Sequence, residues 1–412
     1  MRRRWSPAAS LASFGVAGYR WLWLGAFLFV MSLVISRLAM GWLVLTLTDS
    51  AYWVGLAAGV DGVGKILFGL FGGVLVDHLD KRRVVWYALL VYGLLGVGLG
   101  ILITLEAASL PILLLVAFLL GGIDAVLVPA SNAIVFHLVG RERVMNASAL
   151  NLLGFNAART VGAALAGIVI ARAGMGAVWL LAGLLACVGV LPYLRVRGHF
   201  PPASTRAPFW QALGEGLRYA WKDGAVRRVL GLSVITELFA FSHFTLIPVL
   251  ARDVLQVGAE GLGYLTSASG LGATLGTALL AGLGDIRRKG ALLWGGTVAA
   301  GGLLIAFAYS PWYPLSLAIS AALGLLLANY DALMQAVVQL LTPDAVRGRI
   351  LSLYVLTFGF TSLGGYVAGI IASLAGVPLA IGLGGGFMLA YLFGVARPIA
   401  HLKPSGGPAA SD

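Results

Sequence analysis

The chain has little charge, few histidines and almost no cysteine. Only 11% of its 412 residues are charged, which is about half the share of a soluble domain. The five histidines are scattered, and no HExxH, GxSxG or GxxxxGK[ST] pattern occurs, which disfavours a hydrolase and direct drive by ATP. One cysteine, Cys187, excludes an intrachain disulfide and a multi-cysteine metal site. The sequence predicts no metal centre and no cofactor.

Apolar sequence and glycine are abundant instead. The chain is 60% apolar with 57 glycines, and its formal charge of +12 sits in short connectors, which argues against a nucleic-acid face. A membrane helix needs about 20 apolar residues, and open sheet edges cannot face lipid. Twelve runs meet that length, so we expect an all-α integral membrane protein with twelve transmembrane helices. We number them spans 1 to 12: 21–46, 53–76, 84–104, 110–137, 148–171, 175–195, 228–251, 261–283, 291–309, 313–340, 351–374 and 378–396.

The basic residues orient these spans. Of the 28 lysines and arginines, 23 fall on one side if the even-numbered connectors share it with both termini. Only Arg172 and Arg252 fall on the opposite side. Because cytoplasmic connectors of membrane proteins are rich in Lys and Arg, we expect both termini in the cytoplasm. The chain is predicted to be a multi-pass protein of the cell (inner or plasma) membrane.

Two halves of the chain repeat each other. An acidic residue followed by basic residues comes after span 2 and again after span 8, and glycines of spans 5 and 11 match at an offset of 202. We expect an N-terminal six-helix bundle (1–195), a cytoplasmic linker with an amphipathic helix (196–227), a C-terminal six-helix bundle (228–402) and a flexible tail (403–412). Such repeats are typical of transporters whose halves move against each other. The repeated connectors contain Gly73, Asp77, Asp80, Lys81, Arg82 and Arg83, and then Asp285, Arg287 and Arg288.

These residues resemble the major facilitator superfamily, and within it the drug and siderophore exporters. The segments that carry the resemblance are 42–50, 72–83, 146–151 and 343–349. It implies two pseudo-symmetric six-helix bundles around one pathway, lined by spans 1, 4, 7 and 10 and opened alternately to each side. It also implies that Asp77 caps the start of span 11 beside an arginine and gates the pathway. His78 and Ala163 depart from the family pattern, which has arginine and proline there.

Seven charged residues fall inside spans, where each costs roughly 2.5–3.5 kcal/mol at a helix centre. Asp61 and Lys65 are four residues apart and share a helix face, which favours an ion pair. Arg159 is expected to anchor a packing or gating contact, to Asp124 or to backbone carbonyls. Arg37 is either a counter-ion for an acid or a binding group for an anionic substrate. The full set is Arg37, Asp61, Lys65, Asp124, Arg159, Glu237 and Asp331.

The acids inside the spans are candidates for proton coupling. A low dielectric disfavours the charged form of a carboxyl group, so such a group can bind and release a proton as access alternates. Glu237, with His243 six residues further along the same helix, is the first choice, and Asp124 and Asp331 come next. The alternative is that each acid only neutralises a buried arginine and that His243 makes an ordinary hydrogen bond.

The function that follows is secondary active transport. We expect proton-coupled export of amphipathic small organic compounds, such as drugs or siderophore-like metabolites, by a monomer in the lipid bilayer. Uptake by a proton symporter is the alternative, and a non-transporting receptor on the same fold is a weaker one. An intramembrane enzyme would need a nucleophile–base pair or metal ligands at membrane depth, and the sequence offers neither.

Overall fold

The chain is helical throughout the part that the structure describes. A computed structural model describes residues 12–196, 198, 209–282, 288–395 and 399, and these residues form no β-strand. A short 3₁₀ turn, Ala12–Gly15, precedes span 1. The helices are Ala17–Thr48, Ala51–His78, Lys81–Thr104, Leu110–Leu194, Phe209–Lys222, Gly224–Ile235, Thr236–Phe241, His243–Val249, Leu250–Val254, Ala259–Gly282, Lys289–Ala308, Tyr313–Leu341, Asp344–Thr357, Phe360–Ala375 and Val377–Gly394.

Ten described helices are long and apolar enough to cross a membrane. The helix Leu110–Leu194 divides at Gly140, whose φ is 68°, into Leu110–Gly140 and Glu142–Leu194. The second part has 53 residues and would be about 80 Å long at about 1.5 Å per residue, far beyond the roughly 30 Å of a bilayer core. It breaks at Gly174, whose φ is 83°, and thus supplies spans 5 and 6. The helix Ala259–Gly282, 24 residues long, is richer in Gly, Ser and Thr, is therefore less apolar than these ten, and supplies span 8. The twelve-helix prediction is confirmed.

Two spans are interrupted near their middle. Span 7 runs from Gly224 to Val254 but contains two π-helical segments, Thr236–Phe241 and Leu250–Val254. Span 11 tightens at Phe358 and Gly359, whose N–H groups bond to the carbonyls three residues earlier at 3.2 Å while their φ and ψ angles stay helical. A π-helical segment widens the backbone hydrogen-bonding ring and is frequent at functional sites. The interruptions place irregular backbone in the interior of both spans.

Short polar side chains and prolines set several helix starts. Asp80 Oδ1 accepts a hydrogen bond of 2.9 Å from the Arg82 N–H and caps span 3. Asp223 Oδ1 accepts bonds of 2.8 and 3.0 Å from the N–H groups of Ala225 and Val226 and caps span 7. Spans 4, 10 and 12 begin with a proline in the first turn, where its missing N–H costs nothing. The repeated acidic-basic connector thus contains a true helix cap.

The chain divides into two compact units, each described here by itself. Unit 1 comprises Met1–Asp49, Val60–Ser204 and Gln256–Gly270, and unit 2 comprises Ser50–Gly59, Thr205–Leu255 and Leu271–Asp412. Unit 1 therefore includes the first part of span 8, and unit 2 includes the first part of span 2. The predicted bundle boundaries at 195 and 228 stay predictions, and the predicted tail 403–412 lies outside the described residues.

In each unit, one glycine crossing joins a helix of the first sequence half to a helix of the second. In unit 1, a β-carbon placed on Gly167 would lie 2.9 Å from the Cα of Gly263 in span 8. In unit 2, a β-carbon placed on Gly55 of span 2 would lie 2.8 Å from the Cα of Gly369 in span 11. Real β-carbons do not approach so closely, so both crossings require glycine for direct backbone contact. The pairs 5 with 8 and 11 with 2 are related by the sequence duplication.

Candidate functional site

Arg37 of span 1 and Asp124 of span 4 form an ion pair in unit 1. Arg37 Nη2 lies 2.7 Å from Asp124 Oδ2. The Asp124 side chain is 10% exposed, whereas that of Arg37 is 53% exposed. The pair thus has a buried acidic end and an open basic end. A guanidinium exposed this far along a membrane helix is tolerable only where it meets water or a polar ligand.

A second ion pair in unit 1 lies on span 2. Lys65 Nζ contacts Asp61 Oδ2 one helical turn apart, and both side chains are partly exposed. The charge of Asp61 also acts on Arg37, so the two pairs form one electrostatic cluster. Counting about 1.5 Å per residue from the span ends joined by residues 49 and 50, Arg37 lies about 17 Å and Asp61 about 15 Å deep. The cluster lies near mid-membrane depth.

Arg159 of span 5 contacts the first part of span 8 within unit 1. Its Nη2 donates a hydrogen bond of 3.1 Å to Ser269 Oγ. Two residues earlier, Ser267 Oγ donates to the Thr160 carbonyl at 2.8 Å. Both bonds lie on the same helix pair as the Gly167–Gly263 crossing. Arg159 therefore belongs to a helix–helix contact in which a serine hydroxyl is a partner, and its predicted contact with Asp124 or backbone carbonyls stays a prediction.

Glu237 of span 7 is the most buried acid of the predicted set. It lies in the π-helical segment Thr236–Phe241 and is only 3% exposed. Thr361 Oγ1 of span 11 donates a hydrogen bond to Glu237 Oε2. Glu237 forms no ion pair with any residue that the structure describes. Its environment therefore differs from that of Asp124, which has a guanidinium beside it.

Asp331 and two tyrosines surround Glu237 in unit 2. The charge of Asp331, on span 10, acts on Glu237. Tyr354 and Tyr330 are both buried, and their hydroxyls donate to the carbonyls of Asp331 and Leu232 at 3.4 and 3.5 Å. The structure thus brings the two predicted acids of unit 2 near each other, within a shell of hydroxyl groups.

His243 is buried one helical segment beyond Glu237. Its Nδ1 contacts the Ala240 carbonyl, and since a carbonyl only accepts, Nδ1 carries the proton. Its ring lies 4.1 Å from that of Phe244, measured between centroids. The structure gives His243 the local backbone hydrogen bond that was the alternative reading of the sequence.

The repeated connectors are described only in part. Asp80 caps span 3, the Arg82 guanidinium lies 4.5 Å over the Trp86 ring, Lys81 is buried, and Arg83 and Arg288 are exposed. The surroundings of Gly73 and the side chain of Asp77 lie outside the part that the structure describes, as do residues Asp285 and Arg287 entirely. The predicted contact of Asp77 with span 11 stays a prediction.

The arginines at the start of span 11 have other partners. Arg347 Nη2 lies 2.5 Å from Asp344 Oδ1 and donates to the Thr342 carbonyl at 3.2 Å. Arg349 Nη2 lies 2.9 Å from Glu215 Oε2 of the helix Phe209–Lys222, which we call the linker helix. Segment 343–349 therefore bonds both to itself and to the linker.

A cavity of about 150 Å³ opens within unit 1, among spans 1, 4, 5 and 6. The rings of Trp23 and Phe27 stack along one side with centroids 5.4 Å apart. Polar groups lie at its wall: Asn132, the Asn151 amide, and a hydroxyl pair, Ser131 and Tyr193, 2.9 Å apart. An apolar cavity of this volume admits about one aromatic ring.

Sequence reasoning missed Thr361 and the π-helical backbone at Glu237. Thr361 is 124 residues from its partner, and an isolated threonine in an apolar span carries no signal. The glycine at position 359 is a local hint, because the turn residues Phe358 and Gly359 interrupt the α-helix just before Thr361. The Glu215–Arg349 pair was missed because its two residues also lie far apart in the sequence.

Comparison with known proteins identifies the family. A model of the transmembrane secretion effector family matches residues 8–403. The chain belongs to this family of the major facilitator superfamily. The family resemblance read from the sequence is confirmed.

Similar proteins agree with this assignment. The enterobactin exporter EntS of Escherichia coli O1:K1 is 28% identical over 337 residues, covering 82% of this chain and 80% of the exporter. EntS of Shigella boydii serotype 18 has the same identity and coverage. The crystal structure of a bacterial homologue of the human lysosomal transporter Spinster, inward-facing and unoccupied, superposes with a TM-score of 0.74 at 14% identity, covering 95% and 99% of the two chains.

A further solved structure shares the fold. The nucleoside transporter NupG superposes with a TM-score of 0.71 at 15% identity, over 94% of this chain and all of that one. Likeness at such identities shows the major facilitator fold. Together with the family match, it makes the chain a multi-pass secondary transporter of small molecules and not an enzyme.

Proposed function

We propose that the chain is a proton-driven exporter of amphipathic small organic compounds, with siderophore-like metabolites as the first substrate class to test. The relatives named as enterobactin exporters support this direction and class. The bias of Lys and Arg supports an inner or plasma membrane location with both termini in the cytoplasm. We propose a monomer, because in this fold the two six-helix bundles of one chain together enclose a complete pathway.

The main support for proton coupling at Glu237 is that this carboxyl group is buried without a cation beside it among the described residues. A buried carboxylate without an opposite charge costs several kcal/mol, and binding a proton removes that cost. Asp124 and Asp61 have Arg37 and Lys65 beside them, so their charges are neutralised without a proton. Glu237 has the Thr361 hydroxyl instead, which can donate to the carboxylate and can accept from the acid. Glu237 is therefore our proton-coupling residue, and Asp331 modulates it.

The ring-sized cavity of unit 1 is our candidate for the aromatic part of a substrate. Stacking on Trp23 or Phe27 stabilises a flat ring, and the amides of Asn132 and Asn151 offer hydrogen bonds to ring substituents. Arg37, exposed deeper along the same span, offers a positive charge to an anionic substrate. This combination fits an amphipathic aromatic compound better than a sugar, which would need more polar groups.

Transport into everted vesicles tests the proposed function. Vesicles from an efflux-deficient bacterium expressing the chain are given an inside-acid gradient, and accumulation of enterobactin is measured against vesicles without the chain. Export predicts gradient-dependent accumulation that Glu237→Gln abolishes. Thr361→Val should slow it roughly tenfold, since a hydrogen bond to a charged group contributes about 1.5–3 kcal/mol, while Thr361→Ser retains the hydroxyl and the rate.

The same assay can contradict the proposal in two ways. If Glu237→Gln accumulates substrate at the wild-type rate, the assignment of the proton to Glu237 is wrong, and Asp124→Asn and Asp331→Asn then test the other two acids. If accumulation occurs only with the opposite gradient orientation, the chain is an uptake symporter. If the vesicles accumulate the aromatic dye ethidium but not enterobactin, the siderophore substrate class is wrong and the export direction is still supported.

A further inference from the structure

One face of the linker helix packs against unit 2. Glu215 Oε2 pairs with Arg349 Nη2 at 2.9 Å, and a β-carbon on buried Gly216 would lie 3.3 Å from Leu353 Cδ1. Tyr219 and Ala220, one turn later, lie on the same side, and Ala220 is buried. The linker helix is thereby fixed to the first segment of span 11, Asp344–Thr357.

The opposite face of the linker helix is exposed, apolar and basic at once. Leu217 is 54% exposed and Trp221 is 76% exposed. Arg218 and Lys222, each next to one of them, are exposed as well. At about 100° per residue, Leu217 and Trp221 lie about 40° apart, and the two cations flank them on one side. Such a face is best stabilised where an apolar medium surrounds Leu217 and Trp221 and anions lie beside Arg218 and Lys222.

A third cation comes from span 7. Arg227 Nη1 donates a hydrogen bond of 3.1 Å to the Trp221 carbonyl, and its guanidinium lies 6.0 Å from the Trp221 ring centroid. Arg227 is also exposed. We name the set Leu217, Arg218, Trp221, Lys222 and Arg227 the lipid face.

The position of the lipid face at the start of a membrane span indicates what it binds. Only Asp223 separates the end of the linker helix at Lys222 from the start of span 7 at Gly224, which Asp223 caps. The lipid face therefore begins where a membrane-spanning helix begins. Apolar side chains among Lys and Arg are what a helix lying in the headgroup region presents, and anionic headgroups attract such cations.

We propose that the lipid face binds the anionic phospholipids of the adjacent leaflet, with Leu217 and Trp221 between acyl chains and the three cations on headgroup phosphates. Because the other face holds Arg349, the bound lipid fixes the linker helix and the start of span 11 to the membrane surface. The proposal does not depend on the substrate or on proton coupling, and a binding experiment tests it without transport.

A fluorophore on the exposed face reports lipid contact. Gly214 lies on this face with open space around it, so Gly214→Cys in a Cys187→Ser background accepts a single NBD label and leaves the lipid face intact. The full-length labelled protein is reconstituted in phosphatidylcholine membranes. A nitroxide quencher is carried on phosphatidylglycerol in one series and on phosphatidylcholine in the other, and the ratio of quenching gives the selectivity.

The proposal predicts stronger quenching by phosphatidylglycerol, a preference that weakens at high salt. Neutralising Arg218, Lys222 and Arg227 to Gln should lower the preference about fivefold per cation. Arg172→Gln, which removes an exposed arginine from another connector, is the matched control and should leave it unchanged. The charge-keeping variant Arg218→Lys/Lys222→Arg/Arg227→Lys should also retain it, which separates charge from folding.

Three results would overturn the proposal. Equal quenching by both lipids would show contact without selection for anions. An unchanged preference in the triple neutral variant would place the anion-binding charges elsewhere. Quenching by neither lipid would place the linker helix away from the bilayer.

Discussion

Asp124 and Glu237 are both buried carboxyl groups at membrane depth, but their neighbours differ. Asp124 has the guanidinium of Arg37 at 2.7 Å, and its second oxygen, Oδ1, makes no hydrogen bond among the described residues. Glu237 has the hydroxyl of Thr361 and the nearby charge of Asp331. A fixed ion pair holds its charge through a transport cycle, whereas a carboxyl bonded to a hydroxyl can change protonation. We therefore assign Asp124 to a fixed ion pair and Glu237 to proton coupling.

The asymmetry of the Arg37–Asp124 pair gives a stability prediction. Arg37→Gln leaves the buried Asp124 carboxylate without its cation and should cost about 1–3 kcal/mol. Asp124→Asn should cost less than about 1 kcal/mol, because the half-exposed Arg37 remains in contact with water. Thermal unfolding of the two purified variants, followed by tryptophan fluorescence in detergent, compares these losses.

Lys65→Gln is the control for this pair, since Asp61 is partly exposed and loses a partner that water can replace in part. Its unfolding midpoint should fall less than that of Arg37→Gln. Equal midpoints for Arg37→Gln and Asp124→Asn would contradict the view that the acidic end is the buried one.

At the scale of single residues, the sequence predicts which charged residues lie inside the spans better than it predicts their contact partners. All seven charged residues inside the spans stand out because charge is rare there. Asp61 and Lys65 are four residues apart, so helix geometry predicts their contact. Arg37 with Asp124 and Glu237 with Thr361 are 87 and 124 residues apart, and no local rule links them. Their pairing is a property of tertiary packing.

At the scale of helices, the two glycine crossings are tightly constrained contacts. Gly55 with Gly369, and Gly167 with Gly263, bring the backbones of two helices together, because a β-carbon at any of the four would meet backbone atoms within 3 Å. Backbone contact of this kind lets helices pack closely where the hydrophobic effect gives no help. The sequence matched glycines of spans 5 and 11, and the structure pairs span 5 with span 8 and span 11 with span 2.

A single methyl group tests the crossing in unit 2. Gly369→Ala places a β-carbon 2.6 Å from Gly55 Cα, so the helices must separate, at a cost of about 1–3 kcal/mol. The unfolding midpoint of the purified protein should fall. Gly302→Ala in span 9 is the matched control, since nothing lies within 4 Å of its β-carbon.

The control should unfold at the wild-type temperature or slightly above it, because alanine stabilises an exposed helix position relative to glycine. Equal midpoints for Gly369→Ala and Gly302→Ala would show that the crossing is loose enough to accept a side chain.

Helix existence and order follow from apolar length, but interruptions do not. The twelve runs of the sequence correspond to twelve helices within a few residues, since the bilayer fixes the length that each must have. The π-helical segments of span 7 and the turn at Gly359 depend on what packs beside them. Thr236–Phe241 contains no Pro or Gly that would mark it. The backbone feature closest to the proposed proton site was therefore invisible in the sequence.

At the scale of the whole molecule, the duplication extends from connectors to contacts. Gly167 and Gly369 are related by the offset of 202, and the crossings of spans 5 with 8 and of spans 11 with 2 pair corresponding spans of the two halves. Each compact unit includes one helix end from the other half of the sequence. The charges are not duplicated in the same way, since Asp61 and Asp124 of unit 1 are in ion pairs and Glu237 of unit 2 lies beside a hydroxyl. Proton coupling is thus proposed for one half of a duplicated structure.

Separation of exchange from driven transport tests the coupling role of Glu237 most directly. In proteoliposomes, entry of labelled substrate in exchange for unlabelled substrate needs the pathway alone, whereas accumulation against a gradient also needs the proton. Glu237→Gln should exchange substrate at close to the wild-type rate and lose accumulation driven by an inside-acid gradient. Accumulation by Glu237→Gln at the wild-type level would contradict the assignment of the proton to this carboxyl group.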